Sequence, residues 1–81
     1  MATTTATYSD FTGRAGGIGY RLDFSNGKSY TTNPDGSGLF YHNGRGDRQQ
    51  VRGNGQFQAR SFADFKRKTG GLVVDMGATL A

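Results

Sequence analysis

The sequence predicts an α+β domain: an antiparallel β-meander of about five strands, one short helix over about residues 61–70, and a final strand. Three observations lead there. Apolar residues alternate with polar ones from Ile18 to Phe24 and again around Phe57, the period-2 signature of a half-buried strand. Fourteen glycines against one proline cut the chain into short segments joined by tight turns. After Ser61 the period changes, with Phe62 and Phe65 at i and i+3. The 81 residues make one domain, and a chain of that length buries only roughly 60–65% of the surface its unfolded form exposes. The apolar fraction is 33% and cysteine is absent, so no disulfide supports what must be a small core.

Taken in order, residues 1–13 are Thr-rich, and the stretch around Ala6, Thr7, Tyr8 and Ser9 is expected to form a short edge strand or to fray. Residues 13–17 read as a turn or loop. Ile18, Tyr20, Leu22 and Phe24 then face a core, and Gly19, Arg21, Asp23 and Ser25 face away. Asn26-Gly27 closes a hairpin, because both residues tolerate positive φ, and residues 28–32 return. Two registers compete. A two-residue turn pairs Tyr30 with Asp23 on the face away from the core; a three-residue loop with a glycine bulge pairs Tyr30 with Leu22 in the core. The Asn-Gly chemistry tips the expectation slightly to the first, which leaves Tyr30 beside Arg21 on an exposed face.

Residues 33–38 form a turn by composition, and residues 39–42 are apolar on both faces, as in a central or doubly covered strand. Residues 43–47 are a loop, 48–52 a weak strand with Val51 as its only apolar residue, and 53–55 a turn. Residues 56–60 alternate, with Phe57 and Ala59 inward. Ser61 is a candidate N-cap with Asp64 three residues on, a variant capping box. Phe62 and Phe65 are core. Lys66, Arg67 and Lys68 complement the negative end of a helix that stops at Gly70. Residues 72–76 read as a final buried strand and 77–81 as a loose tail.

Catalysis is poorly supplied. The chain has one histidine, no cysteine and no glutamate. His42 lacks a visible orienting partner or cleft, and reads as a structural or surface residue. The six aspartates are scattered over turn and cap positions, so no metal site, cofactor or enzymatic activity is expected. Gly13 to Gly19 lacks the strand–loop–helix context of a phosphate loop, and Arg45-Gly46-Asp47 is discounted as a chance tripeptide. No segment approaches the roughly 20 apolar residues of a membrane span, and the N-terminus reads as no secretory signal. A cytoplasmic location and no membrane partner are therefore expected.

The net charge is +4, and its distribution is uneven. Residues 45–68 hold seven basic side chains, Arg45, Arg48, Arg52, Arg60, Lys66, Arg67 and Lys68, against Asp47 and Asp64. Such a segment suits an acidic partner, either nucleic acid or an acidic protein surface, or serves as a solvated face. A sheet that interleaves aromatics with Arg and Lys can also stack bases and hold phosphates: Tyr30, Phe40 or Tyr41 to stack, Arg21, Arg48 and Arg52 to hold the backbone.

In its length, its lack of cysteine and of catalytic groups, its Asn26-Gly27 hairpin and its lone helix over 61–70, the chain resembles the small proteins with which phages and mobile elements disable bacterial defences, anti-CRISPR proteins among them. The resemblance covers the whole chain, is one of type, and carries over no functional residue. It implies stoichiometric docking on a larger protein or nucleoprotein complex. Many such proteins are acidic nucleic-acid mimics; the basic balance here implies instead an acidic protein patch or the nucleic acid a complex holds. The alternatives are a basic β-sheet module that binds DNA or RNA directly, and a structural virion component, where homo-oligomers are common. The oligomeric state stays open.

Overall fold

A computed structural model of the chain describes residues 3–12, 17–52 and 56–80; the loop expected over 13–17 (Gly17 apart) and the turn over 53–55 lie outside the described residues. Among these residues six strands form one sheet with one helix: β1 (Thr5–Thr12), β2 (Ile18–Phe24), β3 (Ser29–Thr31), β4 (Leu39–His42), β5 (Arg48–Arg52), α1 (Phe62–Asp75) and β6 (Thr79–Leu80). The order across the sheet is β5-β4-β3-β2-β1-β6. β1 to β5 are an antiparallel meander. β6 returns after the helix and pairs parallel with β1 at Thr5 and Ala6. The fold is thus α+β, as the periodicities predict. β1 is longer than expected and stands second from the end of the sheet.

The core lies between α1 and one face of the sheet. Tyr20, Leu22 and Phe24 point inward from β2, and Phe65 meets them from the helix with no exposed surface. The Phe65 ring stacks on Tyr20 at 5.5 Å and takes the edges of Tyr8 at 5.7 Å and Phe57 at 6.3 Å. The fully buried Thr69 hydroxyl donates to the Phe65 carbonyl at 2.7 Å and meets the Tyr8 hydroxyl at 2.9 Å. A polar group in the middle of the core is thereby satisfied, which removes the penalty its burial would carry.

The β2–β3 hairpin takes the other register. Leu22 pairs with Tyr30 and Asp23 with Ser29. Ser25, Asn26 and Gly27 form a three-residue loop in which the Phe24 amide donates to the Lys28 carbonyl at 2.9 Å and Gly27 adopts φ +93°. Packing explains the choice: this register puts Tyr30 on the inner face, against Phe24 at 6.1 Å and Tyr41 at 5.1 Å. The two-residue alternative would turn that ring to solvent. Burial accordingly raises the Tyr30 pKa, with Tyr41 and Asp75 adding to the effect.

The helix also departs from expectation. It does not stop at Gly70 but runs to Asp75, and of residues 72–76, expected as a buried strand, 72–75 are its last turn and Met76 is its C-cap. Phe62, Phe65, Thr69, Leu72, Val73 and Met76 are spaced three and four apart and line the side that packs on the sheet. The C-terminus is a Schellman motif. Gly77 takes φ +69°, its amide donates to Val74, and the Ala78 amide donates to Val73, each at 3.0 Å. No basic residue lies in the last turn. Lys66, Arg67 and Lys68 are mid-helix, so they do not complement the helix terminus; Arg67 and Lys68 pair with Asp64 at 2.5 and 3.2 Å. Gly70 and Gly71 are interior helical positions, and a Cβ built on either meets nothing within 4 Å. Gly70→Ala and Gly71→Ala are expected to stabilise the domain by roughly 0.5–1 kcal/mol each, read as a higher midpoint in thermal or urea denaturation.

The N-terminus of α1 agrees with its sequence. The Ser61 hydroxyl accepts from the Asp64 amide at 3.1 Å, and the Asp64 carboxylate accepts from the Arg60 amide at 3.1 Å. That amide, with the Arg67 guanidinium and Lys68, lowers the Asp64 pKa to about 2. A carboxylate whose folded pKa lies below its unfolded value stabilises the fold above the unfolded pKa and ceases to do so as pH falls through the folded one. Urea midpoints should therefore drop between about pH 4 and pH 2, and Asp64→Asn, which keeps the acceptor and removes the charge, should reduce that slope.

Residues 56–60 keep the predicted alternation without forming a ladder. Phe57 and Ala59 are buried, but only a bridge from Gln58 to Ser37 joins this segment to the sheet system. It docks on the β3–β4 connection instead: Gly38 donates to the Phe57 carbonyl and Ala59 donates to the Gly36 carbonyl, both at 2.9 Å. Gly36 permits that approach, since it adopts φ +81° and an added Cβ would lie 2.3 Å from the Ala59 carbonyl oxygen.

Candidate interaction face

With α1 on the inner face, the other face of the sheet carries no covering layer among the described residues. Alternation along each strand decides which side chains it displays. One row reads Ser9, Arg21, Thr31, Phe40 and Gln50, and the next reads Thr7, Asp23, Ser29, His42 and Arg48. Each face of β4 holds one buried apolar residue, with Tyr41 and His42 partly exposed: Leu39 packs in the core, while Phe40 is buried on the outer face, where the Arg48 guanidinium lies over its ring at 4.4 Å. Phe11 lies across Gly19, where a Cβ would come within 2.5 Å of the ring. Phe11, Arg21, Thr31, His42 and Arg48 line an open depression of about 490 Å3.

The charges here are arranged unevenly. Arg21 pairs with Asp23 at 2.7 Å, both about half exposed. Arg48 is exposed, and its described contact is the Phe40 ring. His42 Nε2 lies 2.8 Å from the Thr31 hydroxyl. Burial lowers the His42 pKa first, and the positive charges of Arg21 and Arg48 lower it further against the opposing pull of Asp23. The imidazole is therefore neutral at neutral pH and sits in a positive local potential, ready to gain a proton if an anion arrives.

The structure does not bring the expected site residues onto one surface. Arg21 and Arg48 share the outer face. Arg45 is exposed in the β4–β5 loop, its amide donating to the Asn43 side chain at 2.8 Å. Arg52 pairs in register with Leu39 across a bulge at the end of β5. Arg60 is exposed just before α1. Lys66, Arg67 and Lys68 lie on the helix, across the sheet from the outer face; Lys66 covers the Phe62 ring at 4.5 Å and Lys68 donates to the Gln58 carbonyl. Tyr30, expected beside Arg21, is on the inner face. His42 and Phe11 were not expected here. The alternation Phe40, Tyr41, His42 puts Phe40 and His42 on one face, but the sequence does not say which face the helix leaves open.

A larger depression of about 600 Å3 lies elsewhere, between α1, β1 and β6, with the exposed Val74 and Leu80 at its rim and Lys66 as its charged side chain. Its lining is mostly apolar, with Thr7, Tyr8, Lys66 and Thr79 as its polar members, whereas the outer face gathers two guanidinium groups and an imidazole, the better defined chemistry. Among the described residues no three His, Cys, Asp or Glu side chains gather to hold a metal, and no helix is long and apolar enough to cross a membrane. Comparison with protein-family models, with curated proteins and with solved structures finds no match to this chain.

Proposed function

We propose that the chain is a non-enzymatic docking protein that engages an anionic surface of a larger protein or nucleoprotein assembly through the outer face of its sheet. One observation carries the reading: an uncovered sheet face bears Arg21, Arg48 and His42, with Asp23 as the acidic side chain on its described strands. In the class of phage-type inhibitors that the chain resembles, such docking would occupy a working surface of a bacterial defence complex in the cytoplasm. The experiment is capture of binding partners from a bacterial lysate on the immobilised protein, with and without nuclease, followed by mass spectrometry. A protein partner that survives nuclease, elutes with salt and is lost with Arg48→Glu supports the proposal. Recovery of no partner at low salt counts against it.

A second reading, direct binding of single-stranded nucleic acid by the same face, is favoured by the Arg48–Phe40 stack. An exposed guanidinium lying over a ring leaves its other side open to a base, and base stacking of this kind needs no sequence preference. Fluorescence anisotropy with a labelled oligonucleotide tests it. Two to three phosphate contacts predict log K falling against log salt with a slope of about −1.4 to −2; no binding at low salt rules it out.

A further inference from the structure

The sheet ends at β5, and the described side chains of that strand are exposed. An end strand presents unpaired amide and carbonyl groups along its free side. Natural edges are commonly shielded by charges pointing inward. This one is not: Arg48 points to the outer face, while Gln49 and Val51 point to the inner one and Gln50, beside the bulge, also lines the inner trough. The helix core is built on β1 and β2, so the inner face beneath β4 and β5 keeps a trough. Tyr30, Tyr41, Val51 and Met76 line one part of about 410 Å3. Val51, with Leu39, Phe57 and Leu72, lines a second part of about 220 Å3. The bulge opposite Leu39 and Phe40 sets Val51 between the two, 46% exposed.

We propose that β5 is a strand-addition site for an extended segment of a partner protein, with apolar side chains at alternate positions entering the Tyr30–Val51 trough and acidic ones between them on the outer side. The charge of the edge selects that chemistry. β5 and its preceding loop hold Arg45, Arg48 and Arg52 against Asp47. Backbone pairing supplies affinity in such additions, and the alternate side chains supply specificity. A second copy of this chain fits the edge poorly, because antiparallel pairing centred on Gln50 sets Arg48 opposite Arg52 of the other copy, and like charges directly opposite are destabilising. The inference goes beyond outer-face docking: it adds the edge of the sheet, which adjoins that face at Arg48, and uses backbone groups that Arg21 does not touch.

The test is titration of the isotopically labelled protein with a peptide of about ten residues, the length of a long strand, alternating valine with aspartate, read by amide chemical shifts. Expected are shifts at Arg48, Gln49, Gln50 and Val51 and at Tyr30, Tyr41 and Met76. Affinity should be at least about tenfold weaker for the valine–lysine peptide, for Val51→Lys, and for a valine–aspartate peptide N-methylated at alternate residues. That last probe keeps every charge while blocking strand pairing, so it is informative even if Val51→Lys does not fold. Arg21→Glu should keep the peptide affinity while losing outer-face partners, which separates failure of this proposal from failure of the docking reading. Absence of shifts at millimolar peptide, shifts centred on Arg21 and Phe11, equal affinity for the N-methylated peptide, or a dimer that pairs through β5 would each overturn it.

Discussion

Phe65→Ala is expected to remove a large part of this domain's stability. The side chain is wholly buried and its ring contacts Tyr20, Tyr8 and Phe57. It comes from α1 and is surrounded by β1, β2 and the 56–60 segment, so nothing local can collapse into the hole it leaves. Phe→Ala at such a site costs about 3–5 kcal/mol, combining lost transfer energy with an unfilled cavity. The total available to 81 residues is about 4–12 kcal/mol, and no cysteine is present to form a disulfide that limits the unfolded state. The loss should therefore appear in circular dichroism as a melting midpoint lowered by at least about 12 °C, at roughly 4 °C or more per kcal/mol for a domain of this size. Phe65→Leu, which keeps most of the apolar volume, should lose less. A melting point unchanged by Phe65→Ala would mean that α1 does not organise the core.

The sequence was most legible where one physical effect acted locally. The β2 alternation and the Ser61–Asp64 cap needed no tertiary information; the cap stands as read and the alternation holds from Tyr20 to Phe24, while Ile18 at the strand start is exposed and Gly19 is buried. The errors fall where a distant contact overrode a local preference. Asn26-Gly27 does mark the hairpin, but the turn alone could not fix its register; burial of Tyr30 against Phe24 and Tyr41 decides it. Gly70-Gly71 reads as a helix stop because glycine disfavours helix by about 1 kcal/mol. The stripe from Phe62 to Met76 outweighs that preference by packing, and the stop moves to Gly77. Residues 56–60 show that alternation reports burial on one side and not pairing, since Phe57 and Ala59 are buried against a loop. The interaction face was the least legible. Its members come from five strands, and the continuous basic segment from Arg45 to Lys68 is divided by the sheet itself, with Arg48 on one side and the helix cations on the other.

That division yields the second large effect. If the outer face docks an anionic surface, Arg21→Glu with Arg48→Glu should weaken binding about a hundredfold, roughly 1.4 kcal/mol for each tenfold step and one step per reversed charge. Lys66→Glu changes the net charge by as much as either single reversal, on the opposite side of the sheet, and should leave affinity nearly unaltered. A segment acting by net charge alone would instead be equally sensitive at all three positions. The outer-face variants should still fold, because the Arg21–Asp23 pair is exposed and worth at most about 1 kcal/mol, and an exposed cation–π contact such as Arg48 on Phe40 is worth about 0.5–1 kcal/mol. His42 adds a pH signature. Its pKa is held down in the free protein by burial, Arg21 and Arg48, against Asp23. The unfolded chain therefore binds the proton more readily, and the free domain should lose stability as pH falls below about 6.5, the unfolded value. An anion docked beside the ring favours the protonated form, so affinity should rise over the same fall in pH. Binding isotherms between pH 7.5 and 5.5, read with His42→Gln as the variant that should flatten them, separate recognition at this face from attraction to the molecule's overall charge.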